Sequence, residues 1–216
     1  MAETNIEKMA EDQPASTTTT PKKKSLSDGK RLVNAGTRHG LVALGLFLGF
    51  AAADSWYQVT GLGLASALSV ITALVAGAWL SSIFHEWGHF AGARVAKSYS
   101  PIVPDVRGIF MFGFNHSKNT RNQFISMSLG GSVANWLLVI VVFTLIPMDS
   151  LGRGALLAMV FAKAVSVLMF EIPILMKVMN GADSEQAIEE GLNNGSGDRG
   201  TVFGYLTGAL VWFIAS

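Results

Sequence analysis

From Leu41 onward the chain alternates long apolar runs with short polar connections. Leu41–Ala53 is unbroken, and extended from Arg38 to Trp56 it approaches the roughly 20 residues that a membrane-crossing helix needs. Leu62–Phe84 contains no charged residue and predicts a second span. Phe124–Met148 predicts a third, Leu151–Met179 a fourth broken near Pro173, and Val202–Ala215 a fifth of marginal length. Between the second and third lies Arg107–Phe114, apolar, aromatic and punctuated by glycine. It is too short to span and suits a strand or re-entrant piece, either a structural hairpin at the membrane surface or the border of a substrate groove. The expected fold is an all-α membrane protein, a bundle of about five transmembrane helices with a short membrane-associated β-hairpin between the second and third.

Composition sharpens this picture. Of 216 residues, 50% are apolar and 14% charged, whereas a water-soluble domain carries roughly a quarter charged residues. Residues 1–37 read as a disordered, basic N-terminal tail: a polar, Thr-rich stretch without apolar periodicity, then Lys22, Lys23, Lys24, Lys30 and Arg31. This charge run reads as a solvated juxtamembrane segment, with binding to anionic lipid as the sharper alternative. Residues 38–216 form one polytopic membrane domain with its core at 62–186. Arg94, Lys97, Arg107, Lys118 and Arg121 follow the second span, while the connection Asp54–Gly61 has no Lys or Arg. The positive-inside rule then puts the N-terminus of this multi-pass protein in the cytoplasm. Cysteine is absent, so a metal would have to be held by His, Asp or Glu.

The chemistry concentrates at the end of the second span, where His85-Glu86-Trp87-Gly88-His89 fits the H-E-x-x-H pattern. Residues four apart lie one above the other on a helix, so two imidazoles from a single turn can bind one zinc ion. Glu86 stands where a general base would reach the metal's water, whose pKa zinc lowers to roughly 7. Ionisable groups at the end of an uncharged apolar run are expensive and mark function by default. Such a site needs a third protein ligand and an open fourth position. Asp183 is the favoured candidate, because it lies at a depth similar to the histidines and among turn-forming residues that let its carboxylate bend inward. Glu171 is the rival, with Lys163 eight residues earlier as its alternative counter-charge. His39 and His116 read as isolated, solvated side chains.

These residues resemble the site-2 protease family of intramembrane zinc metalloproteases. His85 to Phe90, followed by Ala93-Arg94, is similar to that family's first motif. Gly130-Gly131-Ser132-Val133-Ala134-Asn135 resembles the Gly-Pro-x-x-Asn pattern of its next core helix, with Ser in place of Pro. Asp183 occupies the place of the aspartate that completes the family's zinc site, although Pro173 stands farther from it than the family's proline does and Gly181 precedes it. The resemblance implies a zinc-dependent endopeptidase that cuts transmembrane segments of partner membrane proteins. Its metal would be Zn2+ on His85, His89 and Asp183, its catalytic residue Glu86, and Asn135 would help position substrate. The implied partners are the lipid bilayer and a transmembrane protein substrate, with no nucleic acid. Two other functions fit the same residues: a non-catalytic protein that binds membrane clients, and a metal-ion transporter or sensor with the acids and imidazoles along its path.

Overall fold

The computed structural model describes residues 27–215, with backbone only at 105–107. Six helices and one hairpin follow in order: α1 (Asp28–Thr60), α2 (Gly63–Val95), β1 (Ile102–Arg107), β2 (Phe110–Phe112), α3 (Arg121–Leu145), α4 (Leu151–Met179), α5 (Ser184–Asn193) and α6 (Ser196–Ala215). Among the described residues, α1 to α4 are each long and apolar enough to cross a membrane. Their outward faces carry Leu64, Ile71, Leu137, Ile140 and Phe143, all exposed, where a water-soluble protein would place charge. These are the features of a membrane protein.

Three expectations change. α1 begins at Asp28, so residues 28–37 belong to a helix and not to the tail; residues 1–26 lie outside the described residues. The early turns are held by tertiary contacts that no apolar run announces. Leu32 and Ala35 pack with Phe90, Ile102 and Met111, and Arg31 Nη1 donates to the Ile102 carbonyl at 3.3 Å. α4 continues through Pro173 without a break. Proline removes one backbone donor, a loss that long membrane helices absorb when neighbouring helices pack around them. The expected fifth span is the 20-residue α6, which falls outside the four candidate spans and lies along α4. Its Gly200, Gly204 and Gly208 face Ala158, Ala162 and Ser166 at a separation that leaves no room for a Cβ.

The antiparallel hairpin expected between the second and third spans is present, pairing Ile102 with Phe112 and Arg107 with Phe110 across an irregular ladder. Gly108 makes its turn at φ 66°, a conformation that favours glycine. A buried histidine locks the hairpin to α1. Trp87 Nε1 donates to His39 Nδ1 at 3.0 Å, so His39 carries its proton on Nε2 and donates it to the Gly108 carbonyl at 3.3 Å. His39 is therefore a structural tie, not a solvated side chain.

At the other end of the bundle, Asp54 is 3% exposed and joins α1, α2 and α4. Its Oδ2 accepts from Arg153 Nε at 2.6 Å, and its Oδ1 accepts from Ser150 at 2.6 Å and Ser69 at 3.1 Å. A buried carboxylate satisfied this completely tolerates its burial.

α2 and α3 meet through glycine. A Cβ on Gly88 or Gly130 would strike the other residue's carbonyl oxygen, and one on Gly92 would strike the Ser126 carbonyl. The close approach also lets Ser126 Oγ donate to the Gly92 carbonyl at 3.0 Å. Gly92→Ala is therefore expected to cost about 1–3 kcal/mol from overpacking, seen as a lower Tm in detergent. Gly45→Ala, whose Cβ would meet nothing within 4 Å, should leave Tm unchanged or raise it.

Candidate metal centre

The last third of α2 carries His85 and His89, one helical turn apart, with ring centroids 4.2 Å from each other. α3 supplies the floor under them. A Cβ on Gly131 would lie 2.6 Å from His85 Cε1 and 2.5 Å from His89 Cε1, so both rings rest on a residue without a side chain. α4 supplies the third group. Glu171 Oε1 stands 3.1 Å from His89 Nε2 and 3.5 Å from His85 Nε2. Ligand atoms of all three residues lie within 4.8 Å of one another, and the group could hold a metal ion.

The donor set fits a tetrahedral cation. Zinc bonds of about 2.0–2.1 Å put neighbouring tetrahedral ligands about 3.3 Å apart, and the two measured carboxylate-to-imidazole separations bracket that value. The surroundings orient each ligand. His89 Nδ1 lies 2.9 Å from the Met127 carbonyl; donating its proton there leaves Nε2 free to bind. Ser132 Oγ donates to Glu171 Oε2 at 2.6 Å, leaving Oε1 to face the imidazoles. Asn135, 2% exposed, places its side-chain amide 3.5 Å from His85 Nδ1, and its Oδ1 has no partner among the described residues. Rotating the amide would present that oxygen to an Nδ1 proton, the arrangement a ligating imidazole needs. Asn135, the residue expected to position substrate, is buried beside His85.

Asp183, the favoured third ligand, does not join this group. It is exposed and caps α5, its Oδ1 accepting from the backbone N–H of Glu185 and Gln186, both at 3.0 Å. The turn before it is real, with Gly181 at φ 108°. It starts a helix instead of bending a carboxylate inward, because the free N–H groups of α5 claim the side chain. Beyond the cap, the Lys177 ammonium, 2.7 Å from Glu190, holds that carboxyl below its usual range and ties α5 back to α4. His116 also stands apart, with Nδ1 2.8 Å from Ser184 Oγ and its ring against Phe114 and Phe124.

Glu86 is buried between the imidazole pair and the hairpin. Its Oε1 accepts the Met111 N–H of β2 at 3.1 Å. Lys163, the alternative counter-charge to Glu171, is not among the groups bonded to it in the described residues. It lines a cavity of about 490 Å³ with Ala78, Trp79 and Ser82 of α2 and Gly108, Ile109 and Phe110 of the hairpin. A lysine at the middle of a membrane helix costs about 2.5–3.5 kcal/mol on insertion scales, and nothing in the sequence alone revealed that it borders a cavity.

Comparison with known protein families, curated proteins and solved structures finds no match to this chain. The candidate metal centre rests on its geometry. Purified protein is expected to retain about one metal ion per chain by atomic emission, and Glu171→Ala or His89→Ala to lose it. Ser132→Ala should weaken binding by roughly 10–100-fold. Asp183→Ala should keep the metal and cost only the helix cap, about 0.5–2 kcal/mol.

Proposed function

We propose that this protein is a zinc-dependent endopeptidase working within the membrane on transmembrane segments of other proteins. The observation that carries the reading is the meeting of His85, His89 and Glu171 around one point, with the carboxylate of Glu86 next to the first ligand in sequence and buried. Zinc held there would polarise a scissile carbonyl and supply an acidic water near neutrality.

The chain's own residues divide the remaining work. Glu86 takes a proton from water and later gives it to the departing amine. The Met111 N–H now bonded to Glu86 holds the carboxylate beside the hairpin, where an unwound substrate segment would run along β2. Unwinding is required, because a helical backbone keeps its carbonyls bonded internally. Apolar walls from α2 and the hairpin keep bulk water from the peptide.

The same end of the bundle holds the start of α1, the end of α2 and the start of α3. Lys30, Arg31, Arg94, Lys97, Lys118 and Arg121 belong to that end, whereas the opposite connections hold Arg153. By the positive-inside rule the metal centre faces the cytoplasmic side, with the N-terminus in the cytoplasm.

Glu86→Gln tests the chemistry. In proteoliposomes with a tagged single-span substrate, it is expected to reduce cleavage by about 10²–10⁴-fold while zinc content stays at the wild-type level. Undiminished cleavage would exclude Glu86 as the base. Zinc moving across sealed vesicles without cleavage would instead assign transport.

A further inference from the structure

The cavity between α2, the hairpin tip and α4 is unlike the other polar features of the bundle. The Asp54 cluster is closed and fully bonded. The cavity is open, walled by Ala78, Trp79, Ile109 and Phe110, and contains one cation, Lys163. No hydrogen bond or ion pair engages that ammonium among the described residues.

Snorkelling does not explain it. Lys163 is the thirteenth of the 29 residues of α4, about 18 Å along the helix from its start and about 24 Å from its end. A lysine stem reaches neither interface from there. The cost of an ammonium at that depth falls when an anion pairs with it.

Residues that line the cavity adjoin, along the chain, those of the candidate metal centre. Ser82 precedes Glu86 by one helical turn on the same face of α2. Phe110 is the residue before Met111, whose N–H is bonded to Glu86. Lys163 precedes Glu171 by eight residues, about 12 Å along α4, and lies within electrostatic reach of His85. A peptide drawn along the hairpin toward the imidazoles would put one of its side chains into this space.

We infer that the cavity is a specificity pocket for a carboxylate side chain, Asp or Glu, in the segment presented to the metal centre, with Lys163 as its counter-charge. The peptidic nature of the ligand rests on the protease reading; the carboxylate selectivity is read by binding alone. Membrane segments seldom carry acids, so such a pocket would select a small set of clients. A fatty-acid carboxylate shares the chemistry, and competition separates it from a peptide side chain.

The test uses full-length Glu86→Gln protein in detergent, with and without zinc, and two dansyl-labelled heptapeptides of Leu and Ala with a central Glu or Gln. Fluorescence anisotropy should show the Glu peptide binding roughly tenfold or more tightly than its Gln twin. Lys163→Met should erase that preference, and Lys163→Arg should retain it. Equal binding of the two peptides, or a preference that survives Lys163→Met, would overturn the proposal. Laurate displacing the Glu peptide at equal concentration would assign the pocket to a fatty acid and overturn peptide recognition. Selective binding by a protein that shows no cleavage even as wild type would leave the pocket standing and remove only the protease reading.

Discussion

Two imidazoles on α2 and a carboxylate on α4 can share a cation only if a third helix lets them approach, and Gly131 of α3 is where that happens. Both rings lie where its side chain would be. Any larger residue would push the histidines away from Glu171 or pry α3 from α2. The glycines on either side of that contact, Gly88 and Gly92 on α2 and Gly130 on α3, bring the two backbones together. Close packing is the main source of helix association in lipid, where apolar side chains gain nothing by leaving the solvent. The stability of the bundle and the geometry of its metal centre therefore depend on the same contact.

The two ends of the bundle spend polar groups differently. At one, Asp54 is matched by Arg153 and two serines and has no unsatisfied oxygen, a tie between three helices. At the other, Glu171 faces two imidazoles with one oxygen and Ser132 with the other. Asn135 keeps an oxygen without a partner among the described residues. Burial without partners is costly, so an unfinished polar group beside the imidazoles indicates where a ligand completes the structure. The hairpin, fixed to α1 through His39 and to α2 through Glu86, closes one side of that space.

How much was legible depended on how local each signal was. His85 and His89 could be paired from spacing alone, because the turn of a helix fixes their relation. The four long spans and the hairpin could be read from apolar runs and a glycine-punctuated aromatic stretch. The third member of the group is not legible in this way, because depth along a helix says nothing of rotation about its axis. Asp183 matches the histidines in depth and Glu171 lies deeper, yet it is Glu171 that faces α2. The nearby turn at Gly181 was anticipated, while the short helix behind it was not, and its N-terminal N–H groups captured Asp183. The first turns of α1 are illegible for a related reason: they are held in place through Arg31, and just beyond them through His39, by a hairpin about 70 residues later in the chain.

X-ray absorption on the zinc-loaded protein examines the coordination directly. The account predicts a four-coordinate ion with two imidazoles, one carboxylate oxygen and one further light atom at about 2.0–2.1 Å. A spectrum without imidazole scattering, or with a six-oxygen shell, would contradict it.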